Sequence, residues 1–266
     1  MTWAIGACNV LGAYAVMVSD VQVTFADGRT ADLVRKAYPV GHYIVGAFAG
    51  SIFIGFHLLQ SIRDYLKLPA DASGNACWEP NVVAEHWAPI ARQVFASSPK
   101  EQRDLGAQFL LVGPHPTEDG IPGRAIPYLC KMSWPDFKPE VTRNGNSALS
   151  IGSGAEVPRY VDGIAEILGP QSGMLQAEVG NTGGWARTFG FAVNRMITWH
   201  GVVGISPHVH IHVATRGQIL VETSDMTEYP REGPPREIRM PPVAQSYGEL
   251  VQMAKELRAD VATAVC

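Results

Sequence analysis

The chain has 266 residues, 46% of them apolar and 9% aromatic, which excludes an intrinsically disordered chain and is enough for one large core without a disulfide or metal staple. Its 21 basic and 25 acidic residues are mixed along the chain for a net charge of −4, so no basic run exists to track a phosphate backbone and the composition speaks against a nucleic-acid partner. Charged residues are only 17%, against about 25% in a typical soluble domain, so the surface is either rich in small polar residues or partly covered by partner subunits.

Residues 1–19 carry no side-chain charge. A secretory signal should open with Lys or Arg, and Gly6, Asn9 and Gly12 interrupt any apolar span. The segment reads instead as a buried hairpin, with strands over 3–8 and 13–18 and a turn over 9–12. That reading places the chain in the cytoplasm, with no membrane partner. The four cysteines, Cys8, Cys77, Cys130 and Cys266, are widely spaced without a CxxC, so they form neither a zinc site nor a disulfide framework and suit a reducing compartment.

Asp20 closes the second strand, and residues 25–29 signal a loop. Residues 42–49 are apolar with little alternation, the pattern of a strand covered on both faces. Gly50-Ser51 opens a helix to about residue 66, in which Ile54, Leu58, Leu59, Ile62 and Leu66 recur at three and four. A loop over 69–80 precedes a helix over 82–96. Strands follow over 108–112, 126–132, 140–143 and 148–151, then a helix over 157–168, a loop over 170–180 and a helix over 185–199. Strands over 209–214 and 218–222 are joined by Thr215-Arg216-Gly217. Residues 225–243, with Pro230, Pro234, Pro235, Pro241 and Pro242, read as an irregular arm, and a closing helix spans 245–262. Strands and helices arrive in blocks, which argues for an α+β layered fold over a doubly wound one.

Chemistry could reside in several places. If Met1 is removed, Thr2 carries a hydroxyl nucleophile beside its own base, the α-amine. Asp20 and Lys36 lie in a mostly apolar first fifth of the chain, where charges need partners. Ala49-Gly50-Ser51 and Ile151-Gly152-Ser153-Gly154 are strand-to-helix junctions. The first offers backbone N–H groups to a developing oxyanion, and the second offers a hydroxyl. His208, His210 and His212 alternate with Val209, Ile211 and Val213, so the imidazoles share one strand face. They raise a metal-dependent enzyme as an alternative. However, residues four apart lie about 13 Å apart along a strand, so one ion would take two of them plus a distant carboxylate.

In order and spacing, Thr2-Trp3-Ala4-Ile5-Gly6, Val18-Ser19-Asp20, Arg35-Lys36-Ala37-Tyr38-Pro39-Val40, Val45 to Ser51 and Ala148 to Gly154 resemble the proteasome β-subunit family and its HslV-like bacterial relatives. The resemblance implies a four-layer αββα sandwich of two antiparallel sheets between helix layers, the N-terminal-nucleophile hydrolase fold, over 1–224. Residues 225–266 would form a Pro-rich arm and helix packing on the same domain. It further implies an N-terminal threonine peptidase or amide hydrolase acting through an acyl-enzyme ester, with no cofactor and no metal. Thr2 would be the nucleophile, Lys36 the modulator of its amine, Asp20 the residue orienting Lys36, Gly50 N–H the oxyanion donor and Ser153 an assistant at the amine. The implied partners are a peptide or protein substrate and other copies in a homo-oligomeric ring. An ATPase partner is left open, and a catalytically inactive structural or binding assembly is the alternative. The chain departs from the pattern in a longer first hairpin and in Val21-Gln22 after Asp20. It also has no Asp before the late strand, where Ser206-Pro207 stands instead.

Overall fold

The computed structural model of the chain describes residues 2–9, 14–67, 78–121, 124–143, 147–169, 184–216, 218–222, 226–228, 230, 232–257 and 266. Most of the turn expected at 9–12, most of the loop at 69–80, all of the loop at 170–180, and Gly217 lie outside them. Mixed α+β structure with antiparallel sheets is observed.

The opening hairpin consists of β1 (Ala4–Asn9) and β2 (Tyr14–Asp20), with Ala4 opposite Ser19 and Asn9 opposite Tyr14. A short ribbon, β3 (Gln22–Thr24) with β4 (Thr30–Asp32), and a strand β5 (Ala37–Pro39) follow. The sequence shows none of these, because three residues are too few to display a period. β6 (Val45–Gly50) runs into α1 (Ile52–Tyr65), capped by Ser51, whose Oγ accepts from Ile54 N at 3.1 Å.

Next come α2 (Pro80–Ser97) and the single turn α3 (Lys100–Arg103), then β7 (Ala107–Ile121) and β8 (Arg124–Ser133). β7 continues past Gly113-Pro114, where the sequence signals a stop. Pro114 lies opposite Pro127 and the register shifts beyond it. β9 (Glu140–Thr142), β10 (Ser147–Ile151), a 3₁₀ turn Ser153–Glu156, α4 (Pro158–Leu168) and α5 (Gly184–Trp199) lead to β11 (Val209–Ala214) and β12 (Ile219–Glu222). The arm is not wholly irregular: β13 (Met226–Glu228) pairs with β14 (Arg236–Ile238). Pro230, Pro234 and Pro235 fall in the connection, where their missing N–H costs no ladder bond. The closing helix α6 (Tyr247–Glu256) is shorter than its sequence signal among the described residues.

Two five-stranded antiparallel sheets carry the fold, in the orders β10-β1-β2-β11-β12 and β5-β6-β7-β8-β9. Alternation along the strands sorts their side chains. Ala4, Cys8, Ala15, Met17, Ala47, Ala49, Leu110, Val112 and Leu129 form one buried cluster that joins the two sheets. Ile5, Val16, Val18, Val209 and Ile211 form a second with Tyr160 and Ile164 of α4 and Phe189 and Val193 of α5. Phe48, Phe109 and Leu111 form a third with Leu58 and Ile62 of α1, Trp87 of α2, and Leu250 and Ala254 of α6. No helix among the described residues is long and apolar enough to cross a membrane.

Candidate active site

The hairpin register brings the chain start against the end of β2. Thr2 and Trp3 precede β1, and Asp20 N–H donates to Trp3 O at 3.1 Å. The Asp20 side chain folds back on the same corner: Oδ1 accepts from Trp3 N at 2.9 Å, and Oδ2 accepts from Gln22 N at 3.0 Å. Lys36 enters from the other sheet. It stands immediately before β5, and its carbonyl accepts from Phe48 N of β6 at 3.2 Å. Its Nζ donates to Asp20 Oδ1 at 2.9 Å and also to Thr2 Oγ1. Thr2, Asp20 and Lys36 are all buried, with both charged side chains at 0% exposure. A buried ammonium and carboxylate persist only when paired and hydrogen-bonded, and both conditions are met here.

Ser153 reaches the same place from the end of β10. Its Oγ lies 3.1 Å from Thr2 N, which donates to it, and 3.3 Å from Thr2 O. Gly154 N–H donates to Thr2 O at 3.0 Å, so the Thr2 backbone is held on both sides.

Gly50, the last residue of β6, has φ +92°, and a Cβ there would lie 2.5 Å from Gly106 O, so glycine is required on both counts. Its N–H does not point into empty space. It donates to Cys266 O at 2.7 Å, and Cys266 N–H donates back to Gly50 O at 3.0 Å. The Cys266 thiol is buried and lies 3.6 Å from Gly50 O, with Lys36, Asp20 and Thr2 as its neighbours. Burial pushes that thiol up, and the nearby Lys36 charge only partly opposes the rise.

All five expected residues are thus placed at one corner. Thr2, Asp20, Lys36 and Ser153 are in direct contact, and Gly50 joins through Cys266. Cys266 itself is absent from the sequence reading. A lone cysteine far along the chain carries no motif, and only long-range pairing brings it here.

The histidines divide. His210 and His212 lie on the face of β11 turned away from Val209, Ile211 and Val213, as the alternation indicates, and both are buried. Arg35 Nη2 lies 2.9 Å from His212 Nε2. Burial and the Arg35 charge push His210 down to about 4 and His212 down as well. A guanidinium at this point repels a cation.

His208 precedes the strand, with Nδ1 2.6 Å from Asp32 Oδ2. Ser206 Oγ lies 2.7 Å from the same carboxylate oxygen and 3.1 Å from the same ring nitrogen, so the trio lacks the two-sided imidazole of a proton relay. Burial alone would raise Asp32, but hydrogen bonds from His208, Ser206 and Gln22 outweigh it and hold the carboxyl below its usual range. Ser206 turns its N–H, not its hydroxyl, toward Asp20 Oδ2, at 3.5 Å. Among the described residues, no group of three His, Cys, Asp or Glu converges as a metal site.

A cavity of about 370 Å³ lies beside the centre, lined by Trp3, Ser150, Gly154 and Tyr160 but not by Thr2. Trp3 stacks on Tyr160 with ring centroids 4.4 Å apart. No protein-family model matches the chain, and no curated protein is similar to it.

Proposed function

We propose that the chain is an N-terminal threonine hydrolase, proteasome-like in fold, that cleaves peptide or amide bonds through an acyl-enzyme ester. The observation that carries this reading is the buried contact of Lys36 Nζ with both Thr2 Oγ1 and Asp20, with Ser153 Oγ on the Thr2 nitrogen. In this reading the two sheets and the helices against them are the four αββα layers of an N-terminal-nucleophile hydrolase. Removal of Met1 turns the Thr2 peptide nitrogen into an amine beside the hydroxyl. The positive charge of Lys36 disfavours protonation of that amine and favours negative charge on Oγ1, and Asp20 holds Lys36 in place.

The amine takes the Oγ1 proton as the oxygen attacks the substrate carbonyl, and Gly50 N–H receives the oxyanion. Collapse breaks the C–N bond, and the leaving amine takes the proton from the Thr2 ammonium. Water then attacks the ester, giving one proton to the Thr2 amine, and Oγ1 departs with that proton. No cofactor or metal is needed. In this reading copies of the chain assemble in a ring.

Two observations favour the inactive-assembly alternative: Gly50 N–H is already engaged by Cys266, and Thr2 is fully buried. Intact mass and a threonine-directed β-lactone separate the two. We expect protein lacking Met1 to gain one adduct per chain on Thr2, and Thr2→Ala to gain none and to lose peptidase activity to background. Met1-free protein that stays unmodified at saturating reagent, with and without residues 258–266, would establish the inactive assembly. A solution mass of a single 28.7 kDa chain would remove the ring.

A further inference from the structure

Cys266 and Gly50 exchange both of their backbone hydrogen bonds, N–H to O at 2.7 Å one way and 3.0 Å the other. That is the hydrogen-bonding pattern of the closely spaced pair of an antiparallel ladder, so Cys266 docks by its backbone on the end of β6. The main-chain oxygen held by Gly50 N–H stands where the oxyanion of the proposed reaction must form. The thiol of the same residue lies 3.6 Å from Gly50 O, at the corner where Thr2 and Lys36 meet.

We infer that Cys266 occupies the acyl position of the threonine site. The chain is therefore its own competitor, and substrates are extended peptides with a small residue at the attacked carbonyl. This inference rests on the threonine-hydrolase reading. The class of ligand follows from the two groups of Gly50. Once Cys266 leaves, one N–H and one C=O fixed on a residue at φ +92° both need partners. A peptide presents the N–H and C=O of one residue, flanking a single Cα, on the same side, whereas an ester has no N–H and a simple amide carries its C=O and N–H on one trans unit, pointing opposite ways. Side-chain size follows from the thiol, which lies 3.6 Å from Gly50 O and against Thr2 in a position only 4% exposed. A side chain of alanine, serine or cysteine size fits that space, and an aromatic ring does not. Burial also leaves this thiol raised and unreactive while it is in place.

The test compares three Met1-free proteins: the full chain, a variant lacking residues 258–266, and Cys266→Pro. The proline keeps the chain length but removes the N–H that Gly50 O accepts. We expect both variants to be acylated on Thr2 by a β-lactone at least about tenfold faster than the full chain, because a tethered competitor acts at millimolar effective concentration. A synthetic peptide of residues 258–266 should slow the shortened protein competitively. Acylation of the full chain should expel Cys266 and make it alkylatable by iodoacetamide, read at the peptide level by mass. Among fluorogenic peptides, Ala at the attacked carbonyl should be cleaved at least about tenfold faster than Phe. Equal labelling rates in all three proteins, with no effect of the peptide, overturn self-occupancy and leave the threonine reading standing. Preference for Phe overturns the small-residue assignment. Failure of all three to label overturns the threonine reading, and this inference with it.

Discussion

At the scale of single residues, the Lys36–Asp20 pair decides whether the corner holds together. Asp20 accepts from Trp3 N, Gln22 N and Lys36 Nζ, and both side chains are out of contact with water. Bringing two charges out of water costs several kcal/mol each, which their attraction offsets only while both are present. Lys36→Met leaves the Asp20 carboxylate without its countercharge. We expect a loss of about 3–5 kcal/mol of stability in urea denaturation, together with loss of the proposed activity. Replacing both, Lys36→Met with Asp20→Asn, removes both charges, keeps an acceptor for Trp3 N–H, and should recover most of the stability and none of the proposed activity. A single variant as stable as the parent would show that the pair is not the buried contact described. Thr2 Oγ1 belongs to the same network through Lys36, so Thr2→Ala should leave the fold largely intact while abolishing the proposed hydrolysis.

Among the elements, β1 shows why the first sheet can lie so close to the second. Gly6 has its missing side chain directed at the partner sheet: a Cβ there would come within 2.5 Å of Val112 Cγ1 and 3.3 Å of Leu110 Cδ2. In the layer between the sheets, Ala4, Cys8, Ala15, Ala47 and Ala49 leave room for the larger Met17, Leu110, Val112 and Leu129. Gly6→Ala should therefore destabilise by about 1–3 kcal/mol through overpacking. Gly248 is the internal control. It lies in the first turn of α6, exposed, and a Cβ there meets nothing within 4 Å. Gly248→Ala should stabilise by about 0.5–1 kcal/mol, because it removes freedom from the unfolded chain at no steric cost. Opposite signs in thermal unfolding check both expectations, and a neutral Gly6→Ala would contradict the close approach of the sheets.

For the whole molecule, a polar patch on the inner face of β11 sets a limit on acid stability. His210 faces Ser19 across the β2–β11 pair, with Arg35 and His212 as its charged and titratable neighbours. Its folded value is pushed down to about 4 from an ordinary 6.5, so the unfolded chain binds the proton more tightly. Stability is complete above pH 6.5 and is lost as the pH falls from 6.5 toward 4, by about 3 kcal/mol from this residue. His212 shifts in the same direction and adds to the loss. His210→Gln should flatten the decline of the urea midpoint between pH 6.5 and 4, and an unchanged slope would assign it elsewhere. Much of the architecture was readable without coordinates. The blocks of strands and helices, the apolar spacing of α1, and the alternation that turns His210 and His212 away from Val209 and Ile211 are local periodicities. A local period is written in adjacent residues. The three-residue strands β3, β4 and β5 were not readable, nor was the ribbon β13–β14, because too few residues lie in each to show a period. The candidate site divides in the same way. Residue types and intervals singled out Thr2, Asp20, Lys36, Gly50 and Ser153. That Lys36 from one sheet touches Thr2 and Asp20 from the other depends on how the two sheets stack. That Cys266 fills the remaining place depends on a pairing 216 residues apart in sequence. Contacts of that range arise only when the whole chain has folded, so no window of the sequence contains them.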